Sequence, residues 1–156
     1  MSKSKTAFVT FFPIQPDNMG SSAVVNSRFA SWPYKKKLFQ ISHKKKIVTK
    51  NIHTVFIKKE KPIYKILSLP YMTIKIFRYL SKSPKKILVL EGASWIFYSF
   101  VIGLFLKIFF KNIKIIYISH GIESEIRKKY SNIFIYKFTK LLESLVFKHA
   151  DLATSV

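Results

Sequence analysis

Short runs of continuous apolar residues alternate along the chain with segments in which apolar residues recur every three or four positions. Strands buried on both faces produce the first pattern, and helices packed on a sheet produce the second. The apolar runs predict six strands, at residues 6–12, 38–42, 51–57, 87–90, 113–119 and 152–156. Helices are predicted at residues 21–31, 62–81, 95–110 and 133–148. This alternation predicts one α/β domain, residues 1–156, with a Rossmann-like doubly wound parallel sheet.

Two of the predicted helices have features that affect their packing. Pro70 should kink or divide the helix at 62–81, because proline removes a backbone donor. Its apolar stripe is expected to comprise Ile63, Ile66, Leu67, Pro70, Tyr71, Ile74 and Phe77. Residues 92–106 form an uncharged run of 15 residues, shorter than the roughly 20 residues that span a bilayer. We expect a helix buried in the α/β domain there, with membrane insertion as the alternative.

The last predicted helix and the residues after it carry two isolated acids. The apolar face is expected to comprise Phe134, Phe138, Leu141, Leu142 and Leu145. Glu143 lies opposite that face, three residues from Lys140, so a surface ion pair is expected between them. Asp151 follows the helix and is expected to anchor the loop by hydrogen bonding to backbone.

The charge of the chain is strongly basic. Its 28 Lys and Arg residues exceed its 7 Asp and Glu residues, for a net charge of +21. Solvent, salt or an acidic partner must relieve this repulsion. An anionic membrane, a phosphorylated substrate or a nucleic acid could be that acidic partner. A biased composition rich in Lys, Ile, Phe and Asn is a competing cause. The bases are scattered and form no nucleic-acid motif, so no nucleic-acid partner is expected.

The residue types exclude several kinds of site. The chain has no cysteine, which excludes disulfides, thiolate metal ligands and cysteine nucleophiles. Aspartate occurs only at Asp17 and Asp151, so there is no Asp-x-Asp pair to hold a metal-bound nucleotide, and no metal is predicted. The first apolar run is interrupted by Pro13 and lacks a small-residue cleavage site, unlike a signal peptide. A cytoplasmic location is therefore expected.

Ligands of doubly wound sheets bind at the carboxyl ends of the strands, and the first strand is followed by Gly20, Ser21 and Ser22. A glycine with small polar residues at the start of a helix lets backbone N–H groups approach a phosphate. The alternative is a simple turn with a helix cap.

Two further strand ends carry chemically active side chains. Glu91 ends the fourth strand, where it could bind a sugar hydroxyl or act as a base; alternatively, it accepts from the start of the following helix. His120 ends the fifth strand and is followed by Gly121 and Glu123. It could bind a polar ligand or transfer a proton, or it could be an ordinary surface residue.

These blocks together resemble the N-terminal domain of family 4 glycosyltransferases, enzymes of the two-Rossmann-domain (GT-B) fold. The resemblance rests on Ser-His-Gly-Ile-Glu at 119–123, on Glu143 with Ala-Asp at 150–151 and Thr-Ser at 154–155, and on the loop at 11–22. Ser21 stands where the family usually has a second glycine. The resemblance implies that Gly20 lies near the donor phosphates, that His120 faces the inter-domain cleft as the catalytic residue, and that Glu123 helps to line it.

The resemblance also implies an activity and a missing part. Family members transfer a sugar from a nucleotide-sugar donor to a glycan or lipid-linked acceptor, here in cell-surface polysaccharide synthesis, without a metal or other cofactor. Most donor contacts belong to a C-terminal domain that does not occur before Val156, so this chain by itself is expected to be inactive. The alternative is a non-enzymatic basic α/β module that binds membrane or nucleic acid.

The helix at 62–81 is expected to face an anionic membrane. Its basic residues lie off the apolar stripe, which gives a basic amphipathic surface suited to peripheral attachment at the inner face of the cell membrane. The membrane-facing residues are expected to be Lys61, Lys65, Lys75, Arg78 and Lys82. A solvated helix face is the alternative.

Overall fold

The computed structural model describes residues 4–14, 20–43, 50–92 and 95–155, which form a six-stranded parallel sheet covered by helices. The strands are β1 (Ser4–Val9), β2 (Lys35–Ser42), β3 (Ile52–Phe56), β4 (Lys85–Glu91), β5 (Ile113–Ser119) and β6 (Leu152–Ser155). The helices are α1 (Gly20–Ser31), α2 (Pro62–Leu80), α3 (Ile96–Phe109), α4 (Glu123–Tyr130) and α5 (Ile133–His149).

The order of the strands in the sheet is β3-β2-β1-β4-β5-β6, with every neighbouring pair parallel. The chain winds outward from β1 to β3 and then returns to place β4 on the other side of β1. This reversal makes the carboxyl ends of β1 and β4 the topological switch point, where such folds form a crevice for ligands. The Rossmann-like doubly wound fold predicted from the sequence is confirmed.

The core lies on both faces of the sheet. Phe8, Val89 and Ile118 pack on one face with Val25 and Phe29 of α1. On the other face, neighbouring strand residues such as Val9 and Leu90 pack with α2, α3 and α5. Because both faces are covered, the central strands contain continuous apolar runs, residues 7–9 in β1 and 87–90 in β4, that show no alternation.

All six predicted strands are present, and β5 has the predicted limits. The first strand ends at Val9 rather than at residue 12, although Phe11 and Phe12 beyond it are buried in the core, one on each face of the sheet. The sixth strand ends at Ser155, and Val156 lies outside the described residues. Asp151 anchors the turn before β6, as expected: its carboxylate accepts from the Ile115 N–H at 2.8 Å and from Lys114 at 3.0 Å.

The helix α2 is not divided at Pro70, which lies inside it with its ring exposed. Its buried residues are Ser68, Leu69, Met72, Thr73, Ile76 and Leu80. The predicted apolar stripe is therefore only partly buried: Ile66 and Phe77 pack against the core, whereas Ile63, Leu67, Tyr71 and Ile74 are exposed. The reason is that α2 is apolar on more than one side, so hydrophobic spacing alone does not identify the side that contacts the sheet.

The helix α4 was not predicted, because its sequence is highly charged and has no apolar period. Its acids lie in the first turn and its bases in the last, the arrangement that a helix dipole favours. The predicted face of α5 was correct for Leu142 but wrong for Phe134 and Leu141. Its buried residues are Thr139, Leu142, Glu143 and Val146, whereas Phe134 and Leu141 are exposed, because α5 turns a narrower face toward α3 and α4.

The helix α3 packs on the sheet, as expected for the uncharged run. Ile102 and Leu106 are fully buried, and a Cβ added at Gly103 would lie 3.4 Å from a methyl group of Leu90. Its outer face exposes Ile108 and Phe109. Within the described part of the chain, none of the helices combines the length and the apolar composition needed to cross a bilayer.

Candidate functional site

A buried carboxylate lies at the switch point of the sheet. Glu91, the last residue of β4, is completely inaccessible to solvent. Arg28 of α1 donates from Nη1 to both of its oxygens, at 2.6 and 2.8 Å. His120, directly after β5, places Nε2 3.0 Å from Glu91 Oε2. Three elements distant in the sequence therefore meet through one carboxylate.

The chemistry of this triad follows from the burial of Glu91. A buried carboxylate is strongly destabilising unless it is paired and hydrogen-bonded, and Arg28 provides the permanent positive charge that it requires. The Glu91 carboxylate can accept only from a protonated Nε2 of His120. Nδ1 is then the ring atom left to serve a ligand, so Glu91 and Arg28 can orient the imidazole for binding or proton transfer.

The turn after β5 holds His120 in place. Gly121 has a φ of 124°, a conformation that residues with a Cβ rarely adopt. The Ser119 hydroxyl donates to the Gly121 carbonyl and closes the turn. The glycine is therefore required by the backbone conformation, and it determines the direction in which the chain leaves the His120 position.

Glu123, the first residue of α4, caps the neighbouring helix α3. Its Oε2 accepts from the Ile96 N–H at 2.6 Å, while its Oε1 accepts from Nε and Nη2 of Arg127 at 3.2 and 2.9 Å. Burial raises the pKa of Glu123, and the bonds from Ile96 and Arg127 act in the opposite direction. The carboxylate thus joins α3 and α4 beside His120.

Glu143 has a different role from the one expected. It is buried, and its Oε1 accepts from the backbone N–H of Glu123 at 2.9 Å. The expected surface ion pair with Lys140 was wrong, because Glu143 lies on the buried side of α5 with Thr139 and Val146. Glu143 caps the start of α4 as Glu123 caps the start of α3. The two carboxylates therefore hold these helix starts together next to the turn after β5.

An open cleft of about 340 Å³ lies beside the starts of α3 and α4. It is lined by Gly92, Trp95, His120, Gly121, Glu123, Ile126 and Arg127. A second cleft of about 330 Å³ shares Trp95 and Arg127 with it. Its other lining residues are Glu60, Pro62, Lys65, Tyr98 and Ile135. The two clefts together extend from His120 to the start of α2.

The backbone at Gly92 passes close to the ring of Tyr117. A Cβ added at Gly92 would lie 2.7 Å from Tyr117 Cζ, well inside van der Waals contact. Tyr117 is fully buried, and burial raises the pKa of its phenol. A glycine at this position is therefore required by packing, and it lets the chain leave β4 along the wall of the cleft.

The structure brings together some of the predicted site residues and separates others. Glu91 and His120 are in contact, and Glu123 lines the same cleft as His120. Gly20 and Ser21 begin α1, but the Ser21 side chain lies outside what the structure describes. Ser22 is buried, and its hydroxyl donates to the Pro13 carbonyl at 3.1 Å, so it helps to hold the loop after β1.

The predicted membrane-facing residues divide between two surfaces. Lys61, Arg78 and Lys82 are exposed, and the Lys75 ammonium lies 5.1 Å from the centre of the exposed Tyr71 ring. Lys65 instead is half-buried and lines the cleft with Trp95.

Arg28 and Arg127 were not identified from the sequence, although the sequence contains a signal for them. Only three of the 28 basic residues are arginine, and these two each bind a carboxylate of the site. A guanidinium presents several donors in a rigid plane, which suits carboxylate pairing better than an ammonium does. In a chain so rich in lysine, an arginine is therefore a candidate for carboxylate pairing.

The described residues contain no cluster of three or more His, Asp and Glu side chains arranged to hold a metal ion. Comparison of the chain with models of protein families and with curated proteins finds no match.

Proposed function

We propose that this chain is the N-terminal, acceptor-side domain of a GT-B glycosyltransferase of family 4. The enzyme would transfer a sugar from a nucleotide-sugar donor to a glycan or lipid-linked acceptor in cell-surface polysaccharide synthesis. The observation that carries the proposal is His120, held by the buried Glu91–Arg28 pair beside the switch point, on the wall of a cleft at the carboxyl ends of β4 and β5. Doubly wound sheets bind nucleotide-containing ligands at this place.

Each part of the site has a role in this proposal. His120 contacts the transferred sugar as the catalytic residue, and Glu91 with Arg28 positions its ring. The backbone at the start of α1, from Gly20 to Ser22, approaches the donor phosphates with the positive end of the helix dipole. Glu123 lines the cleft. The proposal assigns no metal or cofactor, and a second domain supplies the remaining donor contacts.

The activity is tested with the complete product of the gene that contains this chain. Release of the nucleotide from a panel of UDP-, GDP-, ADP- and dTDP-sugars is measured with a membrane extract as the source of acceptor. His120→Ala should lower turnover by roughly a hundredfold or more, while His149→Ala, at the exposed end of α5, should not. Absence of turnover with every donor, or equal rates for both variants, would refute the proposal.

We further propose that the outer side of α2 attaches the protein to the cytoplasmic face of an anionic membrane. Exposed Ile63, Leu67 and Ile74 lie along the helix, with basic residues at 75, 78 and 82 beside them. Apolar residues bordered by Lys and Arg are typical of helices that lie in the interface of an anionic bilayer.

Vesicles of phosphatidylcholine with and without phosphatidylglycerol test this attachment by co-sedimentation. Changing Lys75, Arg78 and Lys82 together to Gln should weaken binding to the anionic vesicles roughly tenfold or more. The matched control changes Lys128, Lys129 and Lys137 to Gln, which removes the same charge from α4 and α5. Equal losses for the two triple variants would indicate attraction by net charge alone.

A further inference from the structure

We infer that the double cleft around Trp95 binds a saccharide that carries an anionic group, either a phosphate or a carboxylate. The inference rests on the proposed function and deepens it by naming the chemical class of the acceptor. Trp95 and Arg127 line both halves of the cleft, and Lys65 lines the half farther from His120. An aromatic surface and two cations therefore face the same space.

Trp95 provides a rigid flat surface for a sugar ring. Its ring stacks on Phe97, with centroids 5.1 Å apart and planes inclined by 29°. Phe138 packs against it edge to face at 6.4 Å, and its Nε1–H donates to the Thr139 hydroxyl at 3.4 Å. The ring is only half-buried. Apolar walls with a few fixed polar groups are typical of small-ligand sites.

The positive charge beside this surface is incompletely paired. Arg127 uses Nε and Nη2 to bind Glu123, and its Nη1 has no acceptor among the described residues. Lys65, on the facing helix α2, likewise has no hydrogen-bond acceptor in that part of the chain. Burial lowers the pKa of Lys65, and the nearby Glu60 carboxylate offsets this in part. An anion placed between the two cations would restore the interactions that burial removes.

The size and the remaining polar groups favour a sugar over a bare anion. The two halves measure about 330 and 340 Å³, which is the lower part of the range for small-ligand sites. Glu60 lines one half and Glu123 the other, and their carboxylates can accept hydrogen bonds from sugar hydroxyl groups. His120 lines the half that would hold the reacting end of the acceptor.

Tryptophan fluorescence tests the site directly, because Trp32 and Trp95 are the two tryptophans of the chain. Trp32→Phe leaves Trp95 as the sole reporter in the 156-residue chain, and circular dichroism checks its folding. If this variant fails to fold, ¹⁹F NMR of the wild-type chain labelled with 5-fluorotryptophan gives the same readout. Glucose 6-phosphate and glucuronate should each give a saturable change, at least tenfold tighter than glucose or inorganic phosphate.

Two variants at the start of α2 separate a specific site from general attraction of anions. Lys65→Gln should weaken binding of both anionic sugars roughly tenfold, the effect of one charged hydrogen bond, without affecting glucose. Lys61→Gln removes an exposed charge from the cap position of the same helix and should have no effect. Response to only one of the two sugars would identify its anionic group as the one recognised.

The inference is overturned if neither anionic sugar perturbs Trp95, if glucose or phosphate alone binds equally well, or if the two lysine variants behave alike. Failure of the proposed function gives a different pattern. Anionic sugars would then bind at Trp95 as expected, while the complete gene product released no nucleotide from any donor.

Discussion

Arg28 and Glu91 are separated by 63 positions in the sequence and are joined at 2.6 Å in the fold. Their contact links α1 to the end of β4 across the switch point. The Glu91 side chain is fully buried, whereas about a quarter of the Arg28 side chain (23%) is exposed. The pair thus places a buried charge at the end of β4, in contact with His120.

Removal of Arg28 should destabilise the fold strongly. Arg28→Ala leaves the Glu91 carboxylate buried without its cation, and such changes cost about 3–5 kcal/mol. Urea denaturation followed by circular dichroism measures the loss. The double variant Arg28→Met with Glu91→Leu removes both charges and should recover most of it. If the double variant is as unstable as Arg28→Ala, the uncompensated charge is not the cause.

Substitution by alanine should lower the stability of the protein at Gly92 and raise it at Gly103. Gly92→Ala forces a Cβ against the Tyr117 ring and should cost about 1–3 kcal/mol as an overpacked site. Gly103→Ala places its Cβ at 3.4 Å from Leu90, and within a helix it should gain up to about 1 kcal/mol. Thermal unfolding of the two variants decides the matter, and equal shifts in Tm would contradict it.

Glu143 should stabilise the protein through the start of α4 and not through Lys140. Glu143→Ala leaves the Glu123 N–H without its acceptor and should cost about 1–3 kcal/mol. Glu143→Gln retains an acceptor oxygen and should cost less, while Lys140→Ala should change stability by less than about 0.5 kcal/mol. Denaturant unfolding of the three variants tests this. A large loss of stability in Lys140→Ala would instead support the surface ion pair between Lys140 and Glu143.

Asp151 should contribute stability that disappears in acid. Burial by itself would raise its pKa, but the Ile115 N–H and Lys114 lower it below the ordinary value of 3.8. The folded state then binds fewer protons than the unfolded state, so the contribution is present above about pH 4 and is lost as the pH falls through the folded pKa. Asp151→Asn should be about 1 kcal/mol less stable than wild type at pH 7.

The check on Asp151 is a pair of urea denaturation series from pH 7 down to pH 2.5. The difference between wild type and Asp151→Asn should shrink below about pH 4. Lys114→Gln, which removes the positive charge beside Asp151, should give a smaller loss at pH 7. A difference that stays constant with pH would show that the carboxylate charge has no part in anchoring β6.

The sequence was sufficient to predict the sheet and its doubly wound class. In β5, Ile115 and Tyr117 are buried on one face of the sheet and Ile118 on the other, and a continuous apolar run satisfies burial on both faces. The positions of Glu91 and His120 at strand ends followed directly, because every carboxyl end of a parallel sheet lies on one edge. A continuous apolar run can be read from neighbouring residues alone, so predicting the strands and their ends required no knowledge of packing.

The sequence could not identify which side of a helix faces inward when several sides are apolar. Leu67 and Phe134 fit a helical stripe as well as Met72 and Val146 do, yet the first two are exposed. Hydrophobic spacing shows that a helix has an apolar side. Contact with the sheet or with another helix decides which side is buried.

The partners of Glu91 and Glu143 were decided only by the tertiary structure. Glu91 with Arg28 and Glu123 with Glu143 are 63 and 20 positions apart, and no local pattern encodes such pairs. Electrostatic pairing depends on distance in space and on burial, which exist only once the chain has folded. The sequence by itself therefore determined the scaffold and the edge that holds the chemistry, whereas folding determined which residues form the site there.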